Sequence, residues 1–177
     1  MSKKPYMPLV LGTARNGRRS EKVALYFFEL LKKHNVSSRL VDVRKMITPY
    51  TVAAWMEDEK AADWRKIATK ADALIIVTPE YNHGYPGELK ILLDYAFKEY
   101  EDKPVGLCTV SNGGFGGVRC AENLLPVLHA FKMCVVYEKI HISNVEKSFS
   151  KDKNELDAEY KEKFDNLVKS LDEHIKI

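Results

Sequence analysis

The sequence predicts an α/β fold, a three-layer sandwich in which a five-stranded parallel sheet carries helices on both faces. Two observations point there. Short apolar runs alternate with stretches of helical period along the whole chain, the pattern of parallel strands joined by helical crossovers. Three loops rich in glycine, hydroxyl and polar groups (residues 12–20, 79–84 and 111–117) follow the first, third and fourth of these runs. In a sheet ordered 2-1-3-4-5 the strand order reverses between strands one and three, and all three loops emerge at that crevice along the carboxyl edge.

The elements follow in order. Met7-Pro8-Leu9-Val10-Leu11 is the first strand, with Pro8 near a strand end because it cannot donate to a ladder. The loop behind it holds Gly12, Gly17, Thr13, Ser20 and three arginines, Arg15, Arg18 and Arg19. Val23, Phe27 and Leu31 then repeat at helical spacing, so a helix starts near Ser20. A strand, a glycine-containing loop and a helix N-terminus together bind phosphate, because free N–H groups and the positive helix end face the anion. The same loop could do no more than cap the helix through Ser20, with its arginines solvated. It is neither Gly-x-Gly-x-x-Gly nor a Walker A loop. Residues 39–43 form the second strand and 44–56 an irregular segment containing Tyr50, Trp55 and Met56. A helix spans 57–71.

The third strand, 73–78, breaks at Pro79 into the most distinctive stretch of the chain, Pro79-Glu80-Tyr81-Asn82-His83-Gly84-Tyr85-Pro86. A helix over 86–98 starts behind Pro86, which suits a first turn. Leu89, Leu92, Leu93, Ala96 and Phe97 make one apolar stripe, and Ile91 and Tyr95 a second line on another face. A helix apolar on two faces is either sandwiched in a core or buried against another subunit, and the second subunit is the expectation. The fourth strand, 104–110, ends in Ser111-Asn112-Gly113-Gly114-Phe115-Gly116-Gly117, whose four glycines let a backbone approach a flat ligand. Val118, Ala121, Leu125 and Leu128 mark the next helix, which Pro126 should kink or end. The fifth strand is 134–137 with an extension at 140–142. A lysine- and serine-rich loop at 146–153 precedes a final amphipathic helix near 154–176.

Composition narrows the class. The 177 residues suit a single domain, 1–177, with a sizeable core. A net charge of +3 is too small to predict a nucleic-acid partner. No apolar run nears the ~18 residues that span a bilayer, and the start lacks a secretory h-region. Cys108, Cys120 and Cys134 are odd in number and widely spaced. They predict three buried thiols in a reducing, cytoplasmic setting and no metal site.

At the three loops the sequence resembles the NADPH-dependent FMN reductase family, the flavodoxin-like group that includes quinone, azo-dye and chromate reductases. Gly12-Thr13-x-Arg15, with Arg18, Ser20 and Lys22, is similar to the family's phosphate loop. Thr78-Pro79-Glu80-Tyr81-Asn82, followed by Pro86 and Leu89-Lys90, carries its most specific signature. Ser111-x-Gly113-Gly114-x-Gly116-Gly117 is similar to its third loop. Departures are Thr13 in place of serine, Ile91 where asparagine often stands and Tyr95 where tryptophan is frequent.

The resemblance implies non-covalent FMN, with NADPH as electron donor. It implies Thr13, Arg15, Arg18 and Ser20 at the flavin phosphate. Pro79, Glu80, Tyr81, Asn82 and His83 would lie along the isoalloxazine edge, mainly through backbone groups. Ser111, Gly113 and Gly114 would approach the pyrimidine side. It further implies a ping-pong NAD(P)H oxidoreductase that passes electrons to quinones, azo compounds, free flavin or metal ions. No catalytic side chain is expected, because the cofactor carries the chemistry. A homodimer or homotetramer is expected, with Tyr50, Trp55 and Met56 of one subunit walling the other's acceptor pocket. Two alternatives stay open: a flavodoxin-type electron carrier, against which the near-neutral charge speaks, and a non-catalytic flavin- or nucleotide-binding regulator.

Overall fold

A computed structural model describes residues 4–149 and 155–175. Its five strands are β1 (Leu9–Leu11), β2 (Leu40–Asp42), β3 (Leu74–Pro79), β4 (Pro104–Val110) and β5 (Cys134–Ile142). They form one sheet ordered β2-β1-β3-β4-β5 with every pair parallel. The expected order is therefore correct, and with it the reversal between β1 and β3. The fifth strand is continuous across the two pieces seen in sequence. Its register slips between Val105↔Val135 and Leu107↔Lys139, which absorbs the residues separating them.

Alternation along the strands divides the core. Leu9, Leu11, Ile75, Val77 and Cys108 face α1 (Ser20–Leu31) and α6 (Ala158–Ile175), where the Phe27 and Phe164 rings stack at 4.1 Å. Val10, Leu74, Ile76, Val105 and Leu107 face α3 (Glu59–Lys70), α4 (Gly87–Asp94) and α5 (Val118–Ala130). Strands buried on both sides read as unbroken apolar runs, which is why β3 and β4 were legible. The last helix starts at Ala158, later than expected, and much of the 146–153 loop lies outside the described residues. Pro126 sits inside α5 without ending it. The i−4 carbonyl that proline leaves unpaired belongs to Glu122, on the exposed face where water can satisfy it.

Two expectations for the region after β3 need correction. The helix stops at Asp94, and a 3₁₀ turn at Lys98–Tyr100 follows. Tyr95 is fully buried in its own chain, not turned toward a partner. Its hydroxyl accepts from the Thr48 N–H at 2.7 Å and pairs with Thr48 Oγ1 at 2.7 Å. Arg65 donates to the carbonyls of Ala54, Tyr95 and Met56 at 3.1, 2.9 and 3.0 Å. Together these bonds pin the segment after the short α2 (Val43–Met46) onto α3 and α4. Ile91 is half-buried against the same core, while Phe97, expected inward, is 51% exposed. One further correction concerns the thiols: Cys108 and Cys120 are buried, but Cys134 is exposed at the start of the edge strand. Among the described residues no helix is long and apolar enough to cross a membrane, and no group of side chains could hold a metal ion.

Candidate functional site

The three loops lie where β1, β3 and β4 end, along one edge of the sheet. Thr13 is fully buried, and its hydroxyl accepts from the Arg15 N–H at 3.3 Å. It also lies 3.1 Å from the Tyr81 hydroxyl, so the first and second loops touch. Above that contact the exposed Arg15 guanidinium stacks on the Tyr81 ring at 3.6 Å, a cation–π arrangement.

Arg18, expected to face a phosphate, is turned inward instead. Its guanidinium donates to both Asp42 oxygens at 2.7 and 2.6 Å, to Glu21 at 2.8 Å and to the Thr13 carbonyl at 2.5 Å. The physical reason is charge: a guanidinium that is 99% buried needs carboxylate partners, and Asp42 supplies a bidentate one. Burial alone would raise the Asp42 pKa, but hydrogen bonds from Arg18 and from the Arg44 N–H outweigh it and hold the carboxyl below its ordinary value. The sign follows from that depression. The pair's stabilisation is complete above the ordinary aspartate range and is lost as pH falls through the lowered value.

Ser20 is the first residue of α1, one position inside the expected cap. Arg19 holds the cap position without a side-chain bond, and it pairs with Glu146. Ser20 Oγ is buried without a partner, as is Arg18 Nε. A buried hydroxyl left unpaired at a helix N-terminus costs free energy unless a ligand satisfies it, and an anion is what that position favours. The Ser20 orphan fits a phosphate at this loop.

In the second loop, Tyr81 and Gly84 exchange backbone hydrogen bonds at 2.9 Å in both directions. Asn82 and His83 between them take φ of 49° and 67°, a tight turn in the left-handed region. Histidine seldom adopts that conformation, and such residues cluster at ligand sites. Asn123 on α5 donates to the His83 carbonyl at 2.7 Å and braces the turn. The Glu80 carboxylate accepts from the Cys120 N–H at 3.2 Å, at the positive end of α5. Pro79 accepts a weak bond from the Cys120 thiol at 3.5 Å. Burial, reinforced by Glu80, pushes that thiol up to about 12, so it stays protonated.

The third loop divides its glycines between two tasks. At Gly116 and Gly117 a Cβ would fall 2.6 Å from the His141 carbonyl carbon and 2.8 Å from Thr109 Cβ, so these two serve packing. At Gly114 a Cβ would meet nothing within 4 Å, and at Gly113 only Ser111 Oγ at 4.0 Å. Those two leave an open cradle for a flat ligand. Behind them Thr109 Oγ1 donates to the Gly116 carbonyl at 2.8 Å, and so accepts from His141 Nδ1 at 2.7 Å. That assigns the proton to Nδ1, and burial keeps the His141 pKa below its ordinary value. Ser111 closes the turn by donating to the Gly113 carbonyl at 2.9 Å.

The structure thus gathers every expected site residue at one edge and turns only Arg18 away. Sequence reasoning missed Asp42 and Arg44, which reach the first loop from the end of β2. The strand order carried the signal: β2 is β1's neighbour, so its carboxyl end must lie beside the loop.

Comparison with known proteins bears on family and fold. The family model described as NADPH-dependent FMN reductase matches residues 8–147. An NAD(P)H-dependent FMN reductase of Saccharomyces cerevisiae is 42% identical over 79 residues, covering 45% of this chain and 40% of that protein. One from Schizosaccharomyces pombe is 32% identical over 141 residues, covering 74% and 69%. An NADPH azoreductase of a Bacillus species is 30% identical over 146 residues, covering 78% and 79%. Among solved structures, the Paracoccus denitrificans flavoenzyme FerB superposes with a TM-score of 0.80 at 19% identity, covering 96% of this chain and 98% of that one, a likeness of fold.

Proposed function

The chain belongs to the NADPH-dependent FMN reductase family, and from that premise we propose that it holds FMN non-covalently across its three loops and reduces quinone-type acceptors with NAD(P)H. It is an oxidoreductase of the FMN-dependent, NAD(P)H-using kind. The observation that carries the site is the buried orphan hydroxyl of Ser20 at the α1 N-terminus, beside an exposed Arg15. A phosphate is the group that satisfies it.

FMN held there would supply the redox chemistry between NAD(P)H and an electron acceptor. The chain's own residues bind and orient. Thr13, Arg15 and Ser20 hold the phosphate, with charge-assisted bonds to a near-dianion. Backbone groups of the Pro79–His83 turn fix one edge of the ring, and Gly113 and Gly114 let the main chain approach the other. N–H donors there stabilise negative charge as it develops.

Denaturing the purified protein is expected to release FMN and not FAD, since one compact phosphate loop is present and no second adenylate motif. The FMN-loaded protein is expected to oxidise NADPH when a quinone is supplied. A flavodoxin-type carrier would hold FMN without NADPH turnover, and a regulator would show binding alone. Release of FAD, or failure to retain any flavin supplied in excess, overturns the reading.

We also infer a homodimer, through the expected Trp55 segment but with Phe97 in place of the buried Tyr95. Trp55 is 88% exposed, and with Phe97 it lines an apolar groove of about 740 Å³ that reaches Phe131. The groove opens beside the C-terminal ends of α4 and α5. Large apolar side chains exposed together in one groove favour an interaction site there. Phe97→Glu should shift the protein toward monomer in sedimentation while leaving its melting temperature unchanged. An unaltered oligomer would move the interface elsewhere. The free cysteines accord with a reducing, cytoplasmic setting.

A further inference from the structure

Three consecutive carbonyls of the phosphate loop are held by two arginine side chains. Arg18 donates to the Thr13 carbonyl at 2.5 Å. Arg44, from α2, donates through Nε to Ala14 at 3.0 Å and through Nη2 to Arg15 at 2.7 Å. The peptide is planar, with its C=O and N–H on opposite sides. Fixing those three oxygens toward the arginines turns the N–H groups of the same peptides away from them; that of Arg15 is taken by Thr13 Oγ1 at 3.3 Å, and those of Ala14 and Asn16 have no partner among the described residues. Backbone N–H groups left free in a turn make an anion-binding concavity.

Charge balance separates the two arginines. Arg18 is neutralised by Asp42 and Glu21, and its burial leaves it no path to solvent. Arg44 is exposed and makes no ion pair among the described residues, yet its fork is spent on carbonyls rather than left free. A guanidinium can span two adjacent carbonyls with fixed geometry, whereas an ammonium offers one point charge.

We propose that Arg18, locked by Asp42, and Arg44 are positioning residues that hold the backbone of 13–16 in the orientation the flavin phosphate needs before it arrives. This rests on the reading of the loop as the FMN phosphate site. Neither arginine donates to the phosphate through its fork; each acts through main-chain groups. Preorganisation of this kind saves the ordering cost of binding.

The test compares FMN with riboflavin, which shares the ring and lacks the phosphate, by flavin fluorescence titration of apoprotein. Arg44→Met should raise the FMN dissociation constant about tenfold, the loss of a net hydrogen bond or two. Riboflavin should change less than about twofold, and the melting temperature of the apoprotein should not move, as for a surface substitution. Arg44→Lys should behave like Arg44→Met. If lysine restores FMN affinity, Arg44 acts as a charge and the positioning role is wrong. Equal weakening of both flavins overturns it too, as does unchanged FMN affinity in Arg44→Met. Asp42→Asn gives a second reading through Arg18, with the same preference for FMN over riboflavin. Wild-type protein that binds riboflavin as tightly as FMN would instead refute the phosphate site itself, and is distinguished before any variant is made.

Discussion

Replacing Gly116 with alanine is expected to dismantle the third loop. The residue sits at φ 61°, where an L side chain costs about 1–2 kcal/mol. Its Cβ would lie 2.6 Å from the carbonyl carbon and 2.7 Å from the carbonyl oxygen of His141. Both belong to the backbone of β5, which is hydrogen-bonded to β4 on that side and cannot step back alone. Overpacking adds about 1–3 kcal/mol, so a total near 3 kcal/mol or more is expected. Chemical denaturation should show it as a lowered midpoint with little change in slope. Gly114→Ala makes the control. No atom lies within 4 Å of its added methyl, so stability should stay within about 0.5 kcal/mol. The same methyl would enter the open cradle, and FMN affinity should fall while the fold stands. Equal stability losses at the two positions would show that the loop is not divided between packing and binding.

Arg15→Ala is expected to weaken FMN binding by about 1.5–3 kcal/mol, the range for a hydrogen bond to a charged group. Arg15 makes no ion pair among the described residues, and its guanidinium rests on the Tyr81 ring at 3.6 Å. Stacking of that kind keeps the charge available and fixes its place without neutralising it. Riboflavin should lose much less, because only the stacking partner of Tyr81 is removed. The difference between the flavins should shrink as salt is added, since screening acts on the charged contact. Matching losses for FMN and riboflavin at every ionic strength would reassign Arg15 to shaping the loop.

Asp42 and Arg18 show how a site can be half legible. Arg18 stands two residues from Ser20 in a loop of phosphate-binding composition, so sequence alone places it at the anion. The carboxylate that claims it lies 24 residues along the chain, and no local pattern announces that pairing. Only the adjacency of β2 to β1 brings the two together. Burial then decides the outcome, because an enclosed guanidinium is stable only with its counter-charge.

Tyr95 makes the same point for packing. Helical periodicity puts it off the Leu89–Leu92–Leu93 stripe, and that much is correct. What covers that second face is the segment around Thr48, whose irregular sequence predicts no position. The helix ends at Asp94, and the interior pair of Trp64 Nε1 with the Tyr100 hydroxyl, at 2.5 Å, closes the core behind it. Phe97 is released to the surface as a result.

The sequence by itself determined the five strands, their order and the three loops at the crevice. Each of these is written in local terms: apolar runs of strand length, helical period, and glycine or proline where the chain turns. The strand order alone also brings the loops that carry Thr13, Ser20, Asn82 and Gly114 to a common edge. The tertiary structure decided which charges are spent and which are free, which glycines pack and which stay open, and which apolar face meets solvent. Those outcomes depend on partners distant in the chain, and burial and Coulomb energies are properties of the assembled surroundings, not of the residue.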